Sequence, residues 1–389
     1  MTNKNITSSY ADDIFNPITD IEDLYQGQIN DQEYDLLVFI GRFQPLHLGH
    51  KRVIDIALRK SKKVLILVGS AFRPRRPRNP WLWDEREIMI RANFDHTPTS
   101  KLIIRPLEDF TYRDELWMLS VQSIVKEVVQ EEFKARRGKK IGLIGCSKDS
   151  SSYYLKLFPQ WGNVNVRFLN PLNATQLREE YFNNTSSFPL QKFIDSKVLA
   201  KMNEFKNHPE FSGVKEYTAV VDKIHRERQA GARYPIQDMA ADSLVTQSGH
   251  LLVVRRGGAV GRGLLAMPGG YVNPDETFLQ ASIRELREET RLKVPEPVLR
   301  GSIAASFDAD HPYRSERGRI FSKVFHFKLN DQVYLPDVRG PALEVDSFGH
   351  PIVEGADDAA AAFWIPFSEV NSEEFFEDHF DIISKMLGL

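Results

Sequence analysis

The segment that most restricts the fold of this chain is a ten-residue stretch between an apolar run and an amphipathic pattern. The apolar run, Tyr34–Ile40, is typical of a buried strand, and the residues from Lys51 to Lys60 show helical spacing. Between them stands Gly41-Arg-Phe-Gln-Pro-Leu-His-Leu-Gly-His50, which places two histidines at a strand-to-helix turn. Backbone N–H groups are unpaired at the start of a helix, and the helix dipole is positive there. The turn therefore predicts a binding site for nucleotide phosphates.

The chain continues with alternating strands and helices. We predict a helix at Asp114–Lys134, and further strands at Lys63–Val68, Leu102–Pro106, Lys140–Ile144 and Val164–Leu169. Such alternation is typical of an α/β fold with a Rossmann-like, doubly wound parallel sheet. Ligands of this architecture bind at the carboxyl ends of the strands, where the histidine turn lies.

The second part of the chain is richer in strand patterns. We predict strands at Ala241–Thr246, Leu251–Arg255, Gly301–Phe307 and Ile320–Leu329, interrupted by one strong helical pattern, Thr277–Thr290. A length of 389 residues exceeds one ordinary core. We therefore predict a weakly ordered extension at residues 1–33, a first domain at 34–190, a connector at 191–230 and a second domain at 231–389, with the boundary near residue 230.

Composition excludes several classes of protein. A single cysteine, Cys146, excludes an internal disulfide framework and favours a reducing compartment. The longest apolar runs, such as Val64–Val68, are too short to span a membrane, and the acidic beginning lacks the pattern of a signal peptide. The net charge of −2 gives no electrostatic case for nucleic-acid binding. We therefore expect a cytoplasmic protein that binds neither nucleic acid nor membrane.

The decapeptide resembles the signature of the nucleotidyltransferase superfamily with an HxGH motif. More narrowly, it is similar to the archaeal-type nicotinamide mononucleotide (NMN) adenylyltransferases. The segments that share this resemblance are Gly69-Ser-Ala71, Arg78-Asn-Pro-Trp81, Glu85-Arg86, Leu107-Glu-Asp109, Leu116-Trp117 and Asn173-Ala-Thr175-Gln-Leu-Arg178.

The resemblance implies transfer of the adenylyl group of ATP to NMN, with NAD⁺ and pyrophosphate as products. Because no covalent intermediate is required, catalysis is positioning and neutralisation of charge. His47 and His50 would contact the ATP phosphates, and Mg²⁺ would share the charge. The other implied residues are Arg178 and Arg42 for phosphate oxygens, Thr175 at a helix start, and Gly41, Phe43, Gln44, Arg78 and Trp117 for ATP or NMN.

Some of these residues have structural alternatives. Trp117 could stack on the positively charged pyridine ring of NMN, but a tryptophan in an apolar-periodic helix is also typical of a core. The basic loop Arg73-Pro-Arg-Arg-Pro-Arg78 fits a phosphate site and a solvated surface equally well, and within it Arg78 matches the family pattern. Arg78 and Arg86 are weaker candidates for this site than the histidines and Arg178.

A second set of charged residues has the spacing of a metal site. Glu285, Glu288 and Glu289 stand at positions i, i+3 and i+4, so their carboxylates share one face of the predicted helix. Like charges crowded in this way repel each other, which disfavours stability and favours a divalent cation with oxygen ligands. The supporting residues are Gly269-Gly270, which allow a tight turn, Glu276 and Arg284.

This set, Gly270-x5-Glu276-x7-Arg284-Glu285-Leu286-x-Glu288-Glu289, resembles the Nudix box. At one position the chain departs from the family, because Arg291 replaces the glycine that ends the helix in a left-handed conformation. The left-handed conformation costs a non-glycine residue about 1 kcal/mol of conformational free energy, so we expect altered helix termination. Further matching segments are Leu251–Arg256, Ser306–Asp308, His311–Arg319, Gly355–Asp358, Phe363–Pro366 and Glu377–His379. The region is similar to Nudix domains that are fused to NMN adenylyltransferases in some bacteria and phages.

That resemblance implies a Nudix-type α/β/α sandwich with a mixed sheet, which hydrolyses ADP-ribose to AMP and ribose 5-phosphate. Mg²⁺ or Mn²⁺ would polarise the phosphate and lower the pKa of the attacking water. The implied metal ligands are Glu285 and Glu289, supported by Glu288 and Glu276. The candidates for ADP-ribose binding are Gly270, Arg314, Arg317 and Arg319, although each arginine also fits a surface charge. The general base stays open between Glu354, Asp357 and Asp358.

Together the two resemblances predict a bifunctional enzyme of NAD metabolism with ATP, NMN and ADP-ribose as small-molecule partners. One alternative keeps the folds and changes the substrates: a pantetheine-phosphate or cytidylyl transferase, or a Nudix domain that cuts NAD(H) or a sugar nucleotide. Another alternative is a Nudix domain kept as an ADP-ribose sensor, which the complete set of box glutamates disfavours. Whether the protein is a homo-oligomer stays open.

Overall fold

The chain forms two compact units in this computed structural model. The structure describes residues 33–134, 138–146, 155, 157–166, 174–183, 189–229, 236–330 and 344–389. The first unit comprises Met1–Phe72, Arg78–Asp109 and Asp114–Phe211, and the second comprises Arg73–Pro77, Phe110–Arg113 and Ser212–Leu389. Apart from Glu33, the predicted N-terminal extension lies outside the described residues. Among the helices of these ranges, none has the length and apolarity that crossing a membrane requires.

The first unit contains a parallel five-stranded sheet, as predicted. Its strands are β1 (Tyr34–Gly41), β2 (Ser61–Ala71), β3 (Leu102–Glu108), β4 (Ile141–Cys146) and β5 (Gly162–Val166). Their order is β3-β2-β1-β4-β5, and every pairing is parallel. The direction of the strand order reverses between β1 and β4, which is where ligands of doubly wound sheets bind. The histidine turn follows β1 and therefore lies at this reversal.

Helices cover the sheet of the first unit. They are α1 (Leu48–Lys60), α2 (Trp83–Asn93), α3 (Asp114–Phe133), α4 (Ala174–Asn183) and α5 (Ser196–Phe205), with a short 3₁₀ helix at Leu190–Lys192. The core under α3 joins Val121 and Val125 of that helix to Leu36, Val38 and Leu65 of the sheet. Burial of such apolar side chains contributes about 1.5–3 kcal/mol each, so the sheet is a rigid base for the turn.

The second unit contains a mixed seven-stranded sheet. Its strands are β6 (Gln237–Gln247), β7 (His250–Arg256), β8 (Leu265–Ala266), β9 (Gly269–Tyr271), β10 (Ile303–Ala309), β11 (Arg319–Lys328) and β12 (Ala359–Pro366). The main order is β10-β11-β6-β7-β12, while β8 pairs with β7 and β9 pairs with β6. The pairing of β6 with β11 is parallel and the others are antiparallel. The mixed sheet predicted for this domain is confirmed.

Helices pack on both faces of this sheet. They are α6 (Phe211–Gln229), α7 (Phe278–Thr290), α8 (Glu296–Gly301) and α9 (His379–Leu387), with short 3₁₀ helices at Phe367–Glu369 and Ser372–Glu374. Side chains alternate between the faces of a strand, so neighbours on β6 point to different helices. Leu244 packs in a cluster with Ile382 of α9, whereas Val245 packs in a cluster with Leu286 of α7. The result is an α/β/α sandwich.

The longest stretch of the second unit is Ser212–Leu389, which contains the predicted boundary near residue 230. Most of α6 therefore belongs to this unit. Tyr217 and Val221 of α6 are buried in one cluster with Val254 and Phe376. These contacts make the second half of the predicted connector part of the domain core.

Candidate active sites

The turn after β1 is closed by hydrogen bonds between the histidines and the backbone. His47 is the N-cap of α1, and its Nδ1 accepts a hydrogen bond from the N–H of Gly49 at 3.1 Å. The Nδ1 of His50 accepts from the N–H of His47 at 3.4 Å, so the two side chains cap the helix reciprocally. A Cβ at Gly49 would lie 2.9 Å from Cε1 of His47, which explains the glycine. The caps hold both imidazoles at the positive end of α1.

These capping bonds determine which ring nitrogen carries the proton. A neutral imidazole has one N–H and one acceptor nitrogen, and Nδ1 is the acceptor in both His47 and His50. Each neutral ring therefore carries its proton on Nε2. The rings are stacked with their centroids 3.8 Å apart, and both are partly exposed. The arrangement provides two adjacent N–H donors at a helix start, which suits the oxygens of a polyphosphate.

Aromatic packing supports His50 from within the turn. The centroid of the Phe43 ring lies 4.9 Å from that of His50 and 5.3 Å from that of Phe39. Phe43 is buried and has a φ of 51°, a conformation that is uncommon outside glycine. Its ring lies over Gly41, where a Cβ would be 2.9 Å from Cζ of Phe43. Gly41 and Phe43 therefore shape the turn, and their contact with ATP or NMN stays a prediction.

The predicted pair Thr175 and Arg178 lies beside the histidine turn. Nη1 of Arg178 donates to the carbonyl oxygen of Gln44 at 2.8 Å, and Nη2 donates to Oγ1 of Thr175 at 3.2 Å. The side-chain amide of Gln44 in turn bonds the backbone of Trp81 at 2.7 and 3.2 Å. Residues 134 positions apart in the sequence thus meet at one turn, which supports the phosphate-binding role predicted for Arg178.

Arg86 is a structural clamp of this site, and its role was missed in the sequence. Its side chain is 1% exposed and donates to the carbonyl oxygens of Arg42 at 2.6 Å, Gly69 at 2.7 Å and Ser70 at 3.1 Å. Burial lowers the pKa of Arg86 to about 10, against the opposing charge of Asp109. The guanidinium ties the ends of β1 and β2 together. The sequence signal was the placement of Arg86 in a matching motif, which does not distinguish a clamp from a ligand.

The remaining candidates of the first site differ in exposure. Arg42 is exposed, and Arg78 is half-buried. Trp117 is half-buried and packs against the core under α3, with its ring centroid 6.1 Å from that of Phe158. The position of Trp117 is compatible with a partly structural role and leaves part of the indole accessible. Its stacking on NMN stays a prediction.

In the second unit, Arg284 binds three of the predicted acidic residues. It contacts Glu276 through Nη2 at 2.6 Å and Nε at 3.0 Å, and its Nη1 donates to Glu285 and to Glu288 at 2.8 Å each. The bonds to Glu276 above all raise the pKa of Arg284 and lower the pKa of Glu276. Arg284 therefore fixes the spacing of the carboxylates on α7, as the sequence predicts.

Glu285 and Glu289 lie against Gly269 and Gly270 of β9. The tight turn predicted at these glycines is wrong, because both pair with β6 as part of a strand. The N–H of Gly269 donates to Oε2 of Glu289 at 3.0 Å. A Cβ at Gly270 would lie 2.5 Å from Oε1 of Glu285, so glycine is required for the carboxylate to lie against this backbone. The absence of a side chain at Gly270 thus leaves room for the carboxylate of Glu285, the proposed metal ligand.

Burial disfavours the charged form of both carboxylates. Glu289 is 6% exposed, and its burial raises its pKa to about 8, with the charge of Glu285 acting in the same direction. Burial also raises the pKa of Glu285, although the bond from Arg284 opposes this. A nearby cation would stabilise both charges.

The donor chemistry of this site fits a divalent cation. Carboxylate oxygens are the ligands that Mg²⁺ and Mn²⁺ prefer. Arg284 contacts Glu276, Glu285 and Glu288, and within this set Glu285 and Glu289 are the residues that lie against Gly270 and Gly269. Within the described ranges, no three acidic, histidine or cysteine side chains are already gathered around one point. Glu285 and Glu289 are therefore the residues that would hold the cation first.

Arg291 ends α7 in the way that a glycine would. Its φ and ψ are 53° and 23°, and its N–H donates to the carbonyl oxygen of Arg287. The expectation of altered termination is therefore wrong, because arginine accepts the left-handed conformation here. Its side chain contacts Glu354 at 2.8 Å, with both side chains exposed.

Replacing Arg291 with glycine is expected to raise the free energy of unfolding by about 0.5–1 kcal/mol, because glycine adopts this conformation without strain. The lost ion pair with Glu354 is exposed and contributes little. Chemical denaturation of the full chain measures the change, and Glu354→Gln controls for the ion pair. A less stable Arg291→Gly variant would contradict this account.

The three arginines predicted to bind ADP-ribose differ in their surroundings. Arg314 is 4% exposed and bonds Asp378 through Nε at 2.9 Å and Nη2 at 3.0 Å, which favours a structural role. Arg317 contacts Glu377 at 3.3 Å and lies 5.9 Å from the ring centroid of Tyr271, next to Gly270. Arg319 donates to the carbonyl oxygen of Asp310. Arg317 is thus the arginine best placed for a ligand near the glycines of β9.

Two family models match separate parts of the chain. Residues 38–128 match the model described as Cytidylyltransferase-like, and residues 237–386 match the NUDIX domain. The nicotinamide/nicotinic acid mononucleotide adenylyltransferase of Acinetobacter baylyi is 38% identical over 182 residues, which are 44% of this chain and 93% of that protein. The nicotinamide-nucleotide adenylyltransferase of Archaeoglobus fulgidus is 40% identical over 92 residues, 22% of this chain and 52% of that protein. The match with the archaeal relative thus spans about half of its length.

A solved structure matches both domains together. It is a bifunctional NMN adenylyltransferase/ADP ribose pyrophosphatase from Francisella tularensis, complexed with AMP and a Mn ion. Its sequence is 30% identical, the match covers 91% of this chain and 99% of that chain, and the TM-score is 0.79. Since both the Acinetobacter and the Francisella proteins are covered almost completely, this chain belongs to the family of NMN adenylyltransferases that carry a Nudix ADP-ribose pyrophosphatase domain.

Proposed function

We propose that this chain catalyses two reactions: the first domain forms NAD⁺ and pyrophosphate from ATP and NMN, and the second hydrolyses ADP-ribose to AMP and ribose 5-phosphate. The observation that carries the first assignment is the pair of histidines whose Nδ1 atoms accept backbone N–H bonds at the start of α1, beside Arg178. The observation that carries the second is the pair of carboxylates that lie against the glycines of β9: Glu289, which is buried, and Glu285, which is partly buried.

In the first reaction the phosphate of NMN attacks the α-phosphorus of ATP, and pyrophosphate leaves. His47 and His50 donate Nε2–H bonds to phosphate oxygens, and Arg178 neutralises part of their charge. Donors that are fixed before the substrate binds stabilise developing charge without reorganising. The reciprocal caps of the two histidines provide such fixed donors.

The acceptor nucleotide would lie near Arg78 and Trp117. A partly exposed indole face attracts the cationic pyridine ring of NMN. Arg78 would contact its phosphate. We propose NMN as the acceptor. The alternative is nicotinic acid mononucleotide, which the name of the Acinetobacter enzyme also includes.

In the second reaction water attacks the diphosphate of ADP-ribose. A divalent cation, when bound, would polarise the diphosphate and lower the pKa of the attacking water. Glu285 and Glu289 would hold it, and Arg284 would keep Glu285 in place. Arg317 would neutralise a substrate phosphate. We propose Mg²⁺ as the physiological cation, with Mn²⁺ as the alternative.

Among the three candidates for the general base, Asp357 has the most favourable surroundings. Burial raises the pKa of Glu285, and the negative charge of Asp357 acts in the same direction, so Asp357 lies within electrostatic range of the proposed metal ligand. The N–H of Ala356 donates to the carbonyl oxygen of Glu289 at 3.0 Å, which ties this loop to the end of α7. All three candidates are exposed, and Glu354 contacts Arg291 at 2.8 Å. We therefore assign the base role to Asp357.

Chromatographic product analysis tests both assignments. The purified chain with ATP, NMN and Mg²⁺ is expected to yield NAD⁺ and pyrophosphate, and with ADP-ribose to yield AMP and ribose 5-phosphate. Removal of divalent cations with EDTA should abolish the hydrolysis. Absence of NAD⁺ would contradict the first assignment. ADP-ribose that binds and is not hydrolysed would favour the sensor alternative, and faster cleavage of NADH or a sugar nucleotide would change the substrate.

A further inference from the structure

Two short segments of the second unit come from within the sequence range of the first. Arg73–Pro77 and Phe110–Arg113 belong to the second unit, whereas the residues on both sides of each segment belong to the first. Each segment adjoins a residue that we assign to the acceptor nucleotide. Arg78 directly follows the earlier segment, and Trp117 lies in the first turn of the helix that follows the later one. The contacts that fix these segments therefore bear on the first reaction.

The carboxylate of Asp381, in the first turn of α9, binds one residue from each segment. Its Oδ1 accepts from Nη2 of Arg73 at 2.7 Å, and both side chains are less than a tenth exposed. Its Oδ2 accepts from Oγ1 of Thr111 at 2.8 Å. The prediction of a solvated surface is therefore wrong for Arg73, which is buried against Asp381, whereas phosphate binding by this loop stays a prediction.

Asp378, the N-cap of α9, holds the later segment as well. The hydroxyl of Tyr112 donates to its Oδ2 at 2.6 Å, while Arg314 neutralises the carboxylate through two bonds. The next residue, Arg113, donates from Nη1 to the hydroxyl of Ser384 at 3.0 Å. The side chains of three consecutive residues, Thr111, Tyr112 and Arg113, thus form hydrogen bonds with α9 or its N-cap. Hydrogen bonds to a charged partner are about twice as strong as neutral ones, so these bonds hold the later segment strongly against α9.

We propose that α9 is a positioning element for the first reaction: through Asp378 and Asp381 it fixes the two segments and thereby the placement of Arg78 and Trp117 around the acceptor nucleotide. The inference rests on the proposed function of the first domain. Neither aspartate touches substrate in this mechanism. The effect passes along the chain, because each fixed segment is joined covalently to a residue of the site.

The test removes two hydroxyls from the later segment and leaves the charges of α9 intact. In the full chain, Thr111→Val and Tyr112→Phe are combined, and each keeps the volume of its side chain. The matched control combines Tyr217→Phe and Thr218→Val, which are also neighbours in the second unit. The hydroxyl of Tyr217 has no hydrogen-bond partner among the described residues, and that of Thr218 bonds within α6 to Val214. The steady-state kinetics of both reactions and hydrogen–deuterium exchange are then compared.

The Thr111/Tyr112 variant is expected to raise the KM for NMN about tenfold, with kcat changed less than about threefold, because misplaced binding groups weaken the bound geometry. The first turn of α3 should exchange faster, and hydrolysis of ADP-ribose should stay at its original rate. The control variant should change none of these. Unchanged KM and exchange, or an equal loss of both activities in variant and control, would overturn the proposal. If the unmodified chain forms no NAD⁺, the proposed function fails, and the exchange of α3 still decides the role of α9.

Discussion

Replacing His50 with alanine is expected to lower the rate of NAD⁺ formation about 10²- to 10³-fold, the effect of removing one preorganised donor from a site of developing negative charge. The variant loses the Nε2–H donor and also the bond from the N–H of His47 to Nδ1. Loss of that cap destabilises the first unit by about 1 kcal/mol, which should leave it folded. Initial rates with saturating ATP and NMN measure the effect.

Two comparisons separate chemistry from folding in this experiment. His96→Ala removes an imidazole whose side chain is 72% exposed and which contacts its neighbour Asp95, so the rate should not change. Hydrolysis of ADP-ribose by the His50→Ala variant should stay normal and reports on the integrity of the chain. NAD⁺ formation within about tenfold of the original rate would refute the proposed role of His50.

Glu285→Gln is expected to lower ADP-ribose hydrolysis about 10²- to 10³-fold. A bound cation contributes several kcal/mol of charge stabilisation, each 1.4 kcal/mol is a factor of ten in rate, and an amide is a poor substitute for a carboxylate ligand. The amide keeps the shape of the side chain against Gly270, where a Cβ would be 2.5 Å from Oε1. Without metal, the variant should therefore unfold at the same temperature or slightly higher, because a buried charge has been removed.

The matched control for this variant is Glu296→Gln. Glu296 is a half-exposed glutamate in α8 that pairs with Arg300 at 2.8 Å, so its loss should leave hydrolysis unchanged. Titration of Mn²⁺ provides an independent measurement, in which Glu285→Gln should weaken binding and Glu296→Gln should not. Normal turnover of ADP-ribose by Glu285→Gln would remove the Nudix chemistry from the function of this chain.

Much of the fold can be predicted from the sequence because buried strands leave recognisable apolar patterns in it. Parallel strands covered on both faces are nearly continuous apolar runs, as in β1 and β2, and these were predicted correctly. The strand β12 (Ala359–Pro366) was missed. It contains four consecutive alanines, which favour helix by intrinsic propensity, and it forms a strand because it pairs with β7.

Much of the composition of the two sites can also be predicted, since the residues stand close together in motifs. The spacing of Glu285 and Glu289 follows from helix geometry, and His47 and His50 follow from a strand-to-helix turn. The sequence does not reveal which residues form ion pairs or hydrogen bonds when they stand far apart along the chain. Arg73 pairs with Asp381 across 308 positions, and Arg86 donates to the distant backbone carbonyls of Arg42, Gly69 and Ser70. Such pairings depend on the completed fold.

The crowding of Glu285 and Glu289 has a consequence for the stability of the second unit. Folding places both carboxylates in a setting that raises the pKa of each, and for Glu289 to about 8. A ligand that binds the folded chain better than the unfolded one shifts the folding equilibrium towards the folded state. The cation that is proposed to activate water would therefore also stabilise the folded second unit. The supply of divalent cation would then affect the stability of this unit as well as its rate of hydrolysis.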